Sequence, residues 1–534
     1  VLNCAKNRLK TSETSTYREI KQGDVTMAQL TGNFQGTAAA DTFTGSIATG
    51  EQTVVNGQPT GIAVKQVIID TLAGNDTITA NTNFAAPPTF PATPANAIGM
   101  TNADISTGTG ADQVNIVSNG SSLGQFNSTG LQNALIETDD GNDAIKIQAS
   151  GNGGAFGSER PYAVTTGARL ATLNLGQGND SIAIDATAEG ASPEGGSRTA
   201  VTGIDQSNLL GGEGIDNIAI TAKTSGVTRD SGNVISSTGA SGSAKIQGDG
   251  GSDNIAISAI ASAPRGIGSQ SEATAKGISN GIFLEGGGGN DVITLLGSAE
   301  AGGKLASASG NEGGQAQAYG ALDAFVFGNE GQDTISITGT SKSGVNSTDA
   351  FSYGVFNTTV DGGSGNDRIT LKATGSTTES GATHHGAVNS KILGGSGADS
   401  IDISASDATN VSASVGALGS TIDGGIGADN IKVRGLKLDI QDSLLQGGSG
   451  DDVLDTGIGS GTILGGSGND VLKLDFFDAA TMSIEQSGDN GLKISGTVDK
   501  TGAAVNWSQQ IFEVEAYNIA GTNYSAAGAV ALLG

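Results

Sequence analysis

Thirteen aspartates stand in nearly the same surroundings along this 534-residue chain. They are Asp76, Asp112, Asp143, Asp180, Asp216, Asp253, Asp291, Asp333, Asp367, Asp399, Asp429, Asp452 and Asp470. Each has Gly two residues before it and Ile, Val or Leu two residues after it. A hard divalent cation takes six or more oxygens at ~2.3–2.6 Å, some of them carboxylate. A glycine turn lets backbone carbonyls face inward, and an aspartate at its end adds a fixed negative ligand. One turn supplies about three oxygens, so the same turn in a stacked neighbour must supply the rest. An aspartate that only bonds its own turn is the simpler reading of any single motif. Capping alone does not require an acid every time.

The elements that position these turns are legible in the flanks. All thirteen sites have an aliphatic seven residues before the Asp, such as Ile105, Leu284, Val360 or Ile463, and eleven have another four residues after it. Aliphatics at +2 and +4 make one face of a short strand, because strand side chains alternate. The aliphatic at −7 ends an earlier strand, so each unit is strand, turn, strand. A single unit cannot bury so thin a face, but stacked units can at ~4.8 Å, giving a rod of roughly 60 Å for thirteen rungs. The Asp-to-Asp steps are mostly 30 to 42 residues, then 23 and 18. The stretches between turns are rich in Ala, Ser, Gly and Thr, and a second strand on the far wall of each coil is expected there, with variable loops outside. The coil size is open between about 36 residues and two coils of about 18. Ala85 to Pro94 reads as one such loop.

Composition agrees. There are 87 Gly and 8 Pro, aromatics are 4% and apolar residues 36%. That is too little aromatic content for ordinary compact domains and too much aliphatic content for a disordered linker. The net charge of −28 disfavours nucleic acid and anionic membranes and favours cations. A single cysteine, Cys4, rules out an internal disulfide framework. No run approaches a membrane helix, and no N-terminal signal peptide of the usual order is present.

Four stretches, "GGSGNDRIT", "GGSGADSID", "GGIGADNIK" and "GGSGNDVLK", match a GGxGxDxUx nonapeptide. In this the chain resembles the hemolysin-type (RTX) calcium-binding repeat proteins. Nine sites keep both glycines of GxGxD; Leu72, Asp139, Asp249 and Asn329 replace the first in the others, where weaker ion binding is expected. The resemblance covers the turns and three C-terminal nonapeptides, Gly447 to Lys473, the middle one having Gly461 where its ligand would stand. It implies Ca2+ as the ion, with the thirteen aspartates and Gly363, Gly365, Gly395, Gly397, Gly425, Gly427, Gly448, Gly450, Gly466 and Gly468 forming the ligand turns. It also implies bacterial type I secretion through a C-terminal signal and folding outside the cell.

No enzyme is expected. The two histidines, His384 and His385, read as a polar loop pair, with no HExxH spacing. "GISNG", Gly277 to Gly281, matches GxSxG without its structural context. The pairs Asp139–Asp140 and Asp451–Asp452 fall inside the turns. The expected fold is an all-β, right-handed parallel β-helix or β-roll with calcium-binding turns along one edge. The divisions are a leader at 1–26 that reads as foreign to the native protein, an N-terminal cap at 27–60, repeats at 61–475, and a C-terminal cap with secretion signal at 476–534. The function expected is a secreted, calcium-binding structural or cell-surface protein. Its partners would be calcium, with cell-surface polysaccharide or other copies of itself as further candidates. Alternatives are a polysaccharide lyase or epimerase, and an adhesin that binds a glycan through its loops.

Overall fold

A computed structural model gives the fold. It describes residues 18–19, 25–27 and 29–533, without 48–52, 56–57, 86–94, 123–124, 155–161, 193–197, 229–233, 264–270, 303–313, 345–348, 377–381, 408–413, 475–481, 488–490, 500–503 and 520. Most of the Ala85–Pro94 stretch therefore lies outside the described residues, as does most of the leader.

One coil shows how the sequence builds the rest. Gln315–Leu322 and Phe325–Glu330 are strands of one sheet, separated by a bend at Asp323 with φ of +50°. The glycine turn follows, and Thr334–Ser343 returns in the second sheet. Each strand pairs in parallel with its counterpart in the next coil: Ala316 with Ala350, Val326 with Val360, Ile335 with Ile369. Buried and outward residues alternate along these strands, as the period of two requires, except at Gly320 and Ala321, which are both buried. The chain is thus a parallel β-solenoid with one coil per 30 to 42 residues through its body, which settles the coil size there in favour of the larger repeat. The coil contracts to 18 residues near the end, where Leu445 pairs with Ile463.

The interior of the coil has two halves. Near the Asp turns, the aliphatics at −7, +2 and +4 (Val326, Ile335 and Ile337 in this coil) are fully buried in one continuous core. Burial of each such side chain stabilises by about 1.5–3 kcal/mol. Away from the turns the inward residues shrink to Ala, Ser and Thr, as in the small cluster of Ala259, Ala261, Ala273, Ala275, Ala316 and Ala318. Between the halves runs a row of glycines, including Gly130, Gly167, Gly203, Gly320, Gly354 and Gly386. A Cβ at Gly320 would overlap Ile337 and the carbonyl of Gly354. The sheets touch at this row, and only glycine permits it.

The ends close the stack. The C-terminal strands Met482–Ser487, Gly491–Asp499 and Ala504–Phe512 form an antiparallel sheet, and the last of them lies parallel on Gly459–Ser467. Ala516–Ile519 continues the second sheet, and the helix Ala526–Leu533 follows. Trp507 and Tyr517 are buried in the main core. At the other end the solenoid starts before residue 61: Phe34 pairs with Ile69 and Phe43 with Ile78. Arg18–Glu19 and Val25–Met27 also add strands in parallel. The stretch 27–60 is therefore largely coil rather than a separate cap.

Candidate functional site

The thirteen aspartates come together in a single row. Each is buried, at 0–3% exposure. Each backbone N–H from Asp41 to Asp452 donates to Oδ1 of the aspartate one coil on, at 2.6–2.9 Å. Asp41, in the turn Gly36–Asp41, is a fourteenth member that lies outside the GxGxD register, because its turn has Thr37 and Ala39 in place of the two glycines. The row ends in the cap, where the Asp470 N–H donates to Glu515 at 2.8 Å.

In all thirteen, the second oxygen, Oδ2, is buried and meets no hydrogen-bond donor. The hydroxyls of Thr71, Thr107 and Thr138, nearest the first three, donate instead to carbonyls of the next coil. Further along, the space for Oδ2 is made by a glycine five residues before the Asp. A Cβ at Gly248 would overlap both Asp253 Oδ2 and the carbonyl oxygen of Gly286; Gly328, Gly362, Gly394, Gly424 and Gly447 repeat the arrangement. A bare Cα is therefore flanked by an orphaned carboxylate oxygen and a carbonyl oxygen in coil after coil. This donor set suits a hard cation. Among the described residues no three His, Cys, Asp or Glu side chains converge, so an ion here would draw most of its oxygens from the backbone.

Burial pushes these carboxyls up, because the charged form loses its water. Asp180, Asp253 and Asp333 are raised to about 7, with neighbouring aspartates of the row adding to the effect. Asp143, Asp399, Asp429 and Asp452 are raised to about 6 for the same reasons. Burial also raises Asp76, Asp112, Asp216, Asp291, Asp367 and Asp470.

The glycines behave as the turn chemistry requires. Gly363, Gly365, Gly395, Gly397, Gly425, Gly427, Gly448, Gly450, Gly466 and Gly468 all have φ between +102° and +151°. A Cβ at Gly365 would overlap the carbonyl of Gly331 one coil away. The four replaced glycines do not change the path: Leu72, Asp139, Asp249 and Asn329 take φ of +71°, +59°, +70° and +76°. Their turns close like the others, at the strain cost of left-handed backbone. The residue before the Asp also has a role that the repeat reading passed over. Asn179, Asn290 and Asn366 accept the backbone N–H at the same turn of the next coil, at 2.7–2.9 Å, forming an outer row beside the buried one.

Other sequence signals resolve differently. Gly461 is not in an Asp turn; it lies in strand Gly459–Ser467, paired with Ser443 on the opposite wall, so no ligand is missing there. His384 and His385 are not a loop pair. They lie in strand Thr383–Val388 and are buried: His384 faces the thin half of the coil, where Gly375 leaves room for its ring, and His385, on the other face of the strand, lies against Tyr353. His384 Nδ1 lies 2.6 Å from Ser352 Oγ, and Nε2 lies 3.4 Å from Asp407. These are triad residue types, but Ser352 is fully buried and presents no nucleophile to solvent. Ser279 of the GxSxG match is also buried, at a strand end rather than before a helix. Asp139 and Asp140 are both exposed, while Asp451 faces outward and its partner Asp452 joins the buried row, so neither pair forms a two-carboxylate site. No helix among the described residues is long and apolar enough to cross a membrane.

No protein-family model matches the chain, and no curated protein does. Among solved structures, the chain is similar to PfbA, a surface adhesin of Streptococcus pneumoniae, at 9% identity over 90% of this chain and 92% of that one, with a TM-score of 0.22. A likeness that distant carries no argument about function.

Proposed function

We propose that the protein is a calcium-dependent extracellular β-solenoid with a structural or cell-surface role, in which the aspartate row is an ion ladder. One observation carries the reading: thirteen buried carboxylates in register, each with an unpartnered oxygen. Two unit charges one coil apart (~4.8 Å) repel by about 3–4 kcal/mol at an effective dielectric constant of ~20. Thirteen in file must be neutralised, by protons or by cations. With several of them raised only to about 6 or 7, protons are partly lost at neutral pH. A divalent cation then takes over.

Calcium suits the row better than magnesium. It accepts six to eight oxygens in flexible geometry, including backbone carbonyls, whereas Mg2+ demands a tight octahedron and keeps its waters. When bound, the ion would supply positive charge between coils. The residues would hold it through Asp Oδ2 and the turn carbonyls, while the Oδ1 hydrogen bonds keep the register. Binding then couples to folding, since the unfolded chain has no such row. The reading gives the protein no catalytic step. A glycan-modifying enzyme would need cations massed on one wall, and among the described residues no Lys or Arg is the register partner of another in an adjacent coil.

The test is stoichiometry by equilibrium dialysis at pH 7.5. Several calcium ions bound per chain, with magnesium unable to compete at equal concentration, supports the ladder. Fewer than one ion per chain refutes it.

A further inference from the structure

Away from the aspartate row, the outer face of the first sheet carries a groove of about 520 Å³. Two columns of outward residues make it, each running along the solenoid axis. One is the bend column, Asp323, Asn357 and Asn389, where φ is +47° to +50° and the side chains are exposed. The other is set by strand register: Phe283 pairs with Phe325, Phe325 with Thr359, Thr359 with Lys391, and Lys391 with Thr421.

The aromatic end of this second column is a stack of rings. Phe325 lines the groove, and Phe283 stacks on it at 4.6 Å with planes 19° apart. Phe327 lies nearly parallel to both. Phe283 and Phe325 are 42% and 38% exposed, in a chain whose aromatics are 4% of residues. Exposed, stacked aromatics beside a polar trough are not needed for the solenoid, since the neighbouring coils place Thr and Lys at the same register.

We propose that this groove binds a linear, neutral polysaccharide lying along the solenoid axis. A pyranose ring has an apolar C–H face that packs on an aromatic ring, and hydroxyls at its rim that need amide, hydroxyl and carboxylate partners. The groove offers both in adjacent columns. Asn357 Nδ2 donates to Asp323 Oδ1 at 2.6 Å, which holds the two heads in place without closing the trough. The groove extends along the axis from Phe325 through Thr359 and Lys391 to Thr421, four successive coils, which suits an extended chain better than a compact ligand. The charge argues for a neutral polymer: the lining holds one cation, Lys391, and one anion, Asp323. Lys391 already interacts with Asp361 and Asp423. The chain's net charge of −28 would repel a uronic-acid polymer.

The test is an array of linear neutral and acidic glycans, probed with the full chain in calcium and with Phe325→Ala, Phe283→Ala and Ile426→Ala. Ile426 is exposed on the Asp-turn edge and serves as the control. Circular dichroism of each variant establishes that it is folded. The expected result is binding to at least one neutral glycan, weakened about tenfold or more by Phe325→Ala, less by Phe283→Ala, and unchanged by Ile426→Ala. Binding to no glycan, binding to acidic glycans alone, or binding indifferent to Phe325→Ala overturns the proposal.

Discussion

The two edges of each coil are built on different rules. At the Asp-turn edge, spacing and residue type hold from coil to coil: a glycine turn, a buried carboxylate and three aliphatics. At the loop edge, Ala, Ser, Gly and Thr fill the interior and the length between strands varies. The difference shows where the molecule keeps its stability and where it is free to change. A buried acid tolerates no drift in register, because each carboxylate is also the hydrogen-bond acceptor of the coil before it. Away from that edge the inward residues are small. There the small column even accommodates an imidazole, His384, opposite Gly375.

The comparison can be broken most forcefully with pH. A carboxyl whose folded pKa is raised above its unfolded value contributes stability that is present at low pH and lost as pH rises through the folded value. In chelator, the melting temperature should therefore fall from about pH 4, where the unfolded carboxyls ionise, to about pH 7, where those raised to about 6 and 7 have done so. In calcium the fall should be absent, because the ionised row is what the cation binds. The buried histidines act with the opposite sign: burial lowers both, His385 to about 4, so they favour the fold above their unfolded pKa. Two groups against thirteen should not reverse the trend. A chelated protein most stable at pH 8 would contradict the assignment.

Next in size is a pair of core truncations. Ile337→Ala, on the Asp side of the glycine row, should cost about 2–5 kcal/mol in denaturant unfolding. Ala316→Gly, on the loop side, should cost under about 1 kcal/mol. Equal losses would mean that the two halves do not differ as described.

A sharper pair acts on the row itself. Asp253→Ala leaves the Asp216 N–H buried without its acceptor and should cost about 1–3 kcal/mol in any buffer. Asp253→Asn keeps the acceptor and removes the charge. It should raise the melting temperature in chelator and lower it in calcium. The same sign in both buffers would make Asp253 a structural cap rather than a ligand. The smallest effect is expected between the strands Val292–Ala301 and Gln315–Leu322, where doubling the length of residues 303–313 should cost only about 0.6 kcal/mol by thermal melts.

Much of this was legible in the sequence because the Asp edge repeats every element of its chemistry. The −7, +2 and +4 aliphatics gave the strands and the core, and the thirteen aspartates proved to be one buried row. The rest depends on contacts between coils, which a single repeat does not display. The glycine row that includes Gly320 and Gly354 keeps a nearly constant 13-residue lead on each Asp, but glycine is too common here for that lead to stand out. Asp41 falls outside the motif because Thr37 and Ala39 replace its glycines. His384 was misread because its neighbours are loop-like in composition, while its burial is set by Gly375 and Ser352 in adjacent strands. The Phe283–Phe325 stack joins residues 42 positions apart, visible only once register is known.

The most direct measurement is far-UV circular dichroism of the full chain at pH 7.5 during a calcium titration, with magnesium as the control. The account predicts a cooperative gain of β signal with calcium and none with magnesium at the same concentration. A β spectrum already complete in chelator, and unchanged by calcium, would contradict it and leave the aspartate row as a hydrogen-bonded cap without an ion.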